Sequence, residues 1–277
     1  MNRLVVIAGS GSYPRLLVEG AKRAGVAQVD VVSIRGSTER ATVRAANRVH
    51  PITLGGISEG IRWVSREGYD GAILAGQVNP LSLFRGGFDA EVKAALASLE
   101  VKNAHTIFRK LVELFEREHV RILPASLFME DHLPGVGPLT ERSFTAGERR
   151  DVEHAQAVAR DMGLHDVGQT VMVKSGMVLA VEAFEGTNAA IRRGGRLGRG
   201  GAVLFKAARE GHDFRFDIPV IGLKTVKTMV RSGVSALGFQ AGRLLVLDRA
   251  KTVDYANRHG VALVGIDSGL APAPVRP

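Results

Sequence analysis

Short apolar runs alternate with helix-spaced stretches along the first half of the chain. Residues 3–8 form a β-branched run that breaks at Gly9-Ser10-Gly11. Pro14 then suits the first position of a helix, where its missing N–H would be unpaired anyway. Helical spacing continues to Ala24, a second strand is predicted at 29–34, and after a polar helical stretch 49–54 reads as a third. A helix over 58–67 precedes a short buried strand at 71–75 and the turn Gly76-Gln77-Val78-Asn79-Pro80. Helical spacing returns at 89–97 and 103–118, before a strand at 120–125. This alternation predicts a mostly parallel, Rossmann-like sheet with helices on both faces.

Leu133-Pro134-Gly135-Val136-Gly137-Pro138 interrupts any regular element, so a linker is predicted at 134–147 between an amino-terminal domain, 1–133, and a carboxyl-terminal domain, 148–277. The second half has a mixed α/β pattern: a helix at 151–162, a hairpin over 170–182 turned at Ser175-Gly176, and a strand at 202–206. The run 192–201, Arg192-Arg193-Gly194-Gly195-Arg196-Leu197-Gly198-Arg199-Gly200-Gly201, reads as a flexible basic loop that could meet anionic lipid or substrate phosphates, and equally well as a disordered solvated loop. Pro219 makes 214–221 an edge strand or a strand end. A helix at 224–232, a second hairpin over 236–247, a helix at 249–259 and a strand at 261–266 follow, and the Pro- and Ala-rich tail 270–277 reads as frayed.

Composition narrows the chemistry. With 277 residues, 45% apolar and 23% charged, the chain is an ordinary soluble α/β protein of two-domain size. It has no cysteine, which excludes disulfides and thiolate metal sites. No apolar stretch approaches the roughly 18–20 residues of a spanning helix, and a cytoplasmic protein is expected. The net charge of +9 favours anionic partners. The basic strands with interleaved aromatics that stack on bases are missing, so nucleic acid is not the expected partner. The eight histidines form no zinc-spaced pair.

The first glycine turn, strand–Gly9-Ser10-Gly11–helix, could receive a phosphate on backbone N–H groups. The dinucleotide fingerprint is incomplete: Pro14 occupies its third glycine position, and the second strand ends in Ser33-Ile34-Arg35 in place of a carboxylate, which argues against NAD. A tight structural turn is an equally good reading. Gly76-Gln77-Val78 lies at another strand end, where ligands of open α/β sheets collect.

In the second half, acidic side chains sit at strand ends beside turns. Asp217, Glu182, Glu185 and Asn188 could supply oxygens to a hard cation, and Arg192, Arg215, Lys206 and Lys224 could supply positive charge against phosphates. On spacing alone, any one of these is better read as a solvated charge in an ordinary surface salt bridge. The motifs are more specific than the spacing. Asp166-Val167-Gly168-Gln169, the run from Val178 through Glu185-Gly186-Thr187, Arg215-Phe216-Asp217-Ile218-Pro219, Gly222 and Ala241-Gly242-Arg243-Leu244-Leu245 resemble LpxI motifs. So do Ile7-Ala8-Gly9-Ser10-Gly11 and Leu74-Ala75-Gly76-Gln77-Val78, and the resemblance covers nearly the whole chain.

The resemblance implies a UDP-2,3-diacylglucosamine pyrophosphatase. The expected enzyme is a hydrolase dependent on Mg²⁺ (or Mn²⁺) that yields UMP and lipid X for lipid A synthesis, with the lipid held between two domains. It implies Asp217 as the catalytic residue, binding the metal or orienting the water, and the candidate metal ligands are Asp217, Glu182, Glu185 and Asn188. The substrate contacts it implies are Gly9, Ser10, Gly11, Gly76, Gln77, Val78, Thr187, Asn188, Arg192, Lys206 and Gln240. The expected partners are the UDP-linked diacylated sugar and, peripherally, the inner leaflet of the inner membrane; a homodimer is one form the protein could take. Asn188 and Gln240 stand where the family has carboxylates, and Lys206-Ala207 where it has Lys-Pro. These exchanges keep open a paralogue that binds or hydrolyses another nucleotide-diphosphate sugar, and a basic membrane- or nucleic-acid-binding module without catalysis is a further alternative.

Overall fold

The computed structural model describes residues 1–77, 88–101 and 103–275. They fold as two compact α/β units that are not contiguous in sequence. The first unit comprises Met1–Met129, the segment Asp213–Asp217 and the tail from Pro274; the second comprises Glu130–His212 and Ile218–Ala273.

The first unit is built on β1 (Arg3–Ala8), β2 (Gln28–Ile34), β3 (Val49–Ile52) and β4 (Gly71–Ala75), all parallel in the order β3-β2-β1-β4. Its helices are α1 (Tyr13–Arg23), α2 (Arg40–Ala45), α3 (Ile57–Glu67), α4 (Ala90–Ala97) and α5 (Ala104–Arg117). Local chemistry sets their starts. Pro14 occupies the first turn of α1, Asp89 accepts from Val92 N to cap α4, and Asn103 with Thr106 forms a capping box on α5. Val5 and Val32 of the sheet pack with Ile61 of α3, Val92 of α4 and Leu111 of α5 in one core. The strand expected at 120–125 is reduced to a single bridge, Ala72↔Ile122, because Pro124 has no N–H with which to continue the ladder.

In the second unit, β5 (Gly137–Pro138), β6 (Thr170–Lys174), β7 (Met177–Val181), β8 (Ala202–Lys206), β10 (Val234–Gln240) and β12 (Ala262–Ile266) form a mixed sheet, ordered β5-β12-β10-β8-β6-β7. Strands β8, β10 and β12 are parallel, whereas β6 runs antiparallel to both its neighbours. Helix α6 (Ala146–Leu164) covers one face through Val152 and Ala155. Helices α7 (Thr187–Gly198), α8 (Leu223–Arg231) and α9 (Arg249–Arg258) supply Ile191, Val226, Met229 and Ala256 to a second core.

Several expectations are corrected here. Residues 187–198 are helical, so most of the expected basic loop is part of α7. Its glycines are spaced to lie on one face, where an added Cβ at Gly194, Gly195 or Gly198 would run into Met172, Ser232 or Leu179. Helix α6 starts at Ala146, ahead of the expected 151, because Thr145 and Glu148 form a capping box. Within 134–147, β5 joins the sheet edge through β12. Of the strand expected over 214–221 only β9 (Val220–Ile221) forms, since 213–217 is a turn closed by Asp217 N to Asp213 O at 3.3 Å. The hairpin expected at 236–247 is absent: β10 is an interior strand, while β11 (Leu245–Val246) leaves the sheet and pairs in parallel with β9. Within the described part of the tail, 270–275, the chain is packed rather than frayed, with Ala273 buried and its N–H donated to Gly242 O at 2.8 Å.

Candidate active site

In the second unit the polar candidates meet at the end of the sheet where β7, β8 and β10 finish. Strand β7 runs out at Val181, and the next residue, Glu182, donates its N–H to Thr170 O at 2.8 Å. Gly168 passes directly beneath, where any Cβ would overlap the Glu182 carbonyl, which explains the glycine of Asp166-Val167-Gly168-Gln169. A short turn then leads into α7. Its first residue, Thr187, donates its hydroxyl to Glu182 Oε1 at 2.9 Å and accepts from Lys206 Nζ at 2.8 Å. Lys206 is the last residue of β8 and is only 5% exposed. A buried ammonium and a carboxylate are thus joined through one hydroxyl.

Among the described residues, three buried side-chain oxygens around this chain have no hydrogen-bond partner: Glu182 Oε2, Asn188 Oδ1 and Thr170 Oγ1. Thr170 is the cross-strand neighbour of Lys206. A buried polar atom left unpaired costs about 1–3 kcal/mol, so such a cluster marks a place where a ligand, ion or water completes the bonding. Among the described residues no group of three or more His, Asp or Glu side chains is placed to hold a metal. The donor set instead fits Mg²⁺, which is commonly held by one or two protein carboxylates together with substrate phosphates and water. Glu182 Oε2 and Asn188 Oδ1 are the oxygens free to do so.

Glu185 is otherwise engaged. It accepts from Arg193 at 2.5 Å and from Ala183 N at 3.2 Å, and the Arg193 guanidinium holds its carboxyl below the usual range. Gln240, buried at the end of β10, accepts from Ala208 N at 2.9 Å through Oε1. Arg192 is exposed on α7.

In the first unit the two glycine turns form one structure. Gly9 N donates to Ala75 O, and Ser10 and Gln77 exchange backbone hydrogen bonds at 2.8 and 3.0 Å. Ser10 Oγ also donates to Gln77 O at 2.9 Å. The N–H groups of Gly9 and Ser10 are therefore spent within the protein. Close packing explains the first glycine, because a Cβ on Gly9 would lie 2.6 Å from Gln77 O. Gly11 and Gly76 both take positive φ. Val78 lies outside the described residues.

Asp217 belongs to this first unit, on a short segment clipped to α5. Arg215 donates to Asp213 at 2.7–3.2 Å and to Glu116 at 2.7 Å. Burial pushes the Asp213 carboxyl up, but the hydrogen bonds and charge of Arg215 outweigh it and the net shift is downward. Phe216 stacks on Phe108 and tilts against His105. The Asp217 charge is felt by Tyr13 in α1, whose buried hydroxyl donates to Ala125 O; burial first and Asp217 second push that phenol up.

Phe216 also lines an apolar cavity of about 70 Å³ at the carboxyl ends of the strands, with Ile7, Ile34, Leu74 and Phe115. That is about half the ~150 Å³ that takes up benzene, enough for the end of an alkyl chain. Nothing in the sequence singles out Thr170 or Tyr13, and Phe216 is visible there only as part of the motif around Asp217. Apolar and β-branched residues carry no chemical signal until the register or the fold assembles their neighbours.

Residues 3–132 match the LpxI N-terminal domain and residues 135–264 the LpxI C-terminal domain. The chain belongs to the LpxI family. A relative from Caulobacter vibrioides, the UDP-2,3-diacylglucosamine pyrophosphatase LpxI, is 32% identical over 283 residues, covering 98% of this chain and 100% of that protein. A solved biotin carboxylase domain of Hydrogenobacter thermophilus 2-oxoglutarate carboxylase is 15% identical. It covers 71% of this chain and 41% of its own, with a TM-score of 0.28, too low to carry an argument. In this LpxI chain the polar cluster around Thr187 thus belongs to one unit, and Asp217 with the apolar cavity to the other. No helix among the described residues is long and apolar enough to cross a membrane.

Proposed function

We propose that this chain hydrolyses the pyrophosphate of UDP-2,3-diacylglucosamine to UMP and 2,3-diacylglucosamine 1-phosphate (lipid X), a metal-dependent step in lipid A synthesis. The observation that carries this reading is the buried Lys206–Thr187–Glu182 chain beside two unpartnered oxygens, Glu182 Oε2 and Asn188 Oδ1. Lys206, held in place by Thr187, donates to a non-bridging phosphate oxygen without reorganising as charge develops there. Glu182 and Asn188 are the ligands proposed for Mg²⁺ (or Mn²⁺), which when bound neutralises charge on the phosphoanhydride oxygens. Asp217, in the first unit, is the carboxylate proposed to take up the proton that water loses as the new P–O bond forms. The bridging P–O bond breaks with its electron pair on the departing phosphate.

The apolar cavity under Phe216 suits the end of an acyl chain. Because the substrate carries two such chains, the protein works in the cytoplasm as a peripheral protein at the inner leaflet. A second reading is favoured by Asn188 and Gln240, amides where the family has carboxylates: a paralogue that takes a different nucleotide-diphosphate sugar. Release of UMP from the diacylated substrate and from UDP-N-acetylglucosamine, each with Mg²⁺ and with EDTA, separates the two. Metal-dependent release from the diacylated substrate alone supports the proposal. Equal release from the unacylated sugar supports the second reading.

A further inference from the structure

In α7 the buried residues are Ala190, Ile191, Gly194, Gly195 and Gly198, so the opposite face consists of Arg192, Arg193, Arg196 and Leu197, followed by Arg199. All five are exposed, and Leu197 is 55% exposed in the midst of the arginines. Arg193 is held by Glu185 and Val181 O, whereas Arg192, Arg196 and Arg199 form no ion pair among the described residues. Helix α7 packs on β7, the edge strand of the sheet.

Two further exposed apolar side chains flank the helix. Met177, 68% exposed, is the cross-strand partner of Lys174, whose Nζ donates to Gly198 O at 2.7 Å at the end of α7. Phe184, 67% exposed, lies in the turn that Arg193 ties to the helix. Unpaired arginines interspersed with the exposed Leu197 and Met177 side chains differ from a phosphodiester-binding surface, where apolar tips would stay in water. At a bilayer the guanidinium groups meet anionic headgroups while the apolar tips reach the acyl boundary.

We infer that the outer face of α7, with Met177 and Phe184, docks the protein on an anionic lipid bilayer. This rests on the peripheral association proposed above and identifies the face responsible.

The test is flotation of the full chain with phosphatidylethanolamine–phosphatidylglycerol vesicles and with phosphatidylcholine vesicles. Wild type should bind the anionic vesicles and leave the neutral ones. At about fivefold per arginine removed, R196E/R199E should weaken partitioning by at least about 25-fold. R40E/R44E, an equal charge change on α2, should cost far less. L197S/M177S should lower binding several-fold at unchanged charge. All variants should keep the wild-type circular dichroism melt and release UMP normally from substrate in detergent micelles. Equal losses for R196E/R199E and R40E/R44E would reduce the effect to overall charge and overturn the inference. So would a face that holds RNA but no vesicles, or one that only joins two copies of the chain. Normal vesicle behaviour without UMP release would instead sink the proposed activity and leave this inference standing.

Discussion

Thr187 joins a cation to an anion: its hydroxyl donates to Glu182 and accepts from Lys206. A hydrogen bond to a charged group contributes about 1.5–3 kcal/mol. Thr187→Ala should therefore lower kcat/KM by roughly 10- to 100-fold, and Thr187→Ser should restore most of it. Turnover of the alanine variant within about twofold of wild type would remove this chain from the account. Glu182, Asn188 and Lys206 were legible as candidates because carboxylates, amides and amines at strand ends announce their chemistry. Thr187 as the link between them was not, and neither was Thr170. Their roles depend on the pairing of β6 with β8 and on α7 closing over the same face, which no local pattern encodes.

Helix α7 shows how close packing decides an element's sequence. Alanine is a better helix former than glycine by about 1 kcal/mol, yet a Cβ on Gly195 would strike the Ser232 backbone and side chain. Overpacking typically costs about 1–3 kcal/mol, and more where backbone must move, so Gly195→Ala should lower the urea midpoint. Gly198→Ala should cost less, because its neighbour at 2.7 Å is the mobile end of Leu179. A Gly195→Ala midpoint above wild type would mean that propensity wins. At the start of α6, burial pushes the Glu148 carboxyl up, but Arg142, Ser235 and the Thr145 N–H pull harder and bring it to about 2. That is below the ~4.3 of an unfolded glutamate. Its contribution is complete above that value and is lost as pH falls toward 2. Urea midpoints should decline over this window, and Glu148→Gln should flatten part of the decline; parallel curves would contradict the assignment. Strands β1 and β4 and the hairpin β6–β7 were legible because apolar runs end at glycine turns. The run 192–201 misled because arginine and glycine dominate it, although its glycines mark a packed helical face. The run 236–247 misled because two apolar stretches around Gly242 resemble a hairpin, while the second stretch leaves the sheet to pair with β9.

At the scale of the molecule, two α/β units share one chain discontinuously. The segment Asp213–Asp217 comes from the carboxyl half of the sequence yet packs in the first unit through Arg215, Phe216 and the Phe214 carbonyl, which accepts from Ala125 N. The two-unit α/β plan was legible from strand–helix alternation and the Pro-Gly break after Leu133. The return of 213–217 was not, because its docking partners Glu116, His105 and Phe108 lie far away in sequence. Asp217 thus sits beside the apolar cavity lined by its neighbour Phe216, with its charge felt at Tyr13. The central claim is that this carboxylate serves metal-dependent pyrophosphate hydrolysis. The most direct measurement is UMP release from UDP-2,3-diacylglucosamine across a Mg²⁺ titration, comparing wild type with Asp217→Ala at matched folding. The account predicts Mg²⁺-dependent release by wild type and a loss of roughly 100- to 10,000-fold for the variant, the scale of removing a group that acts on the reacting atoms. Undiminished release by Asp217→Ala, or release by wild type that is indifferent to Mg²⁺, would contradict it.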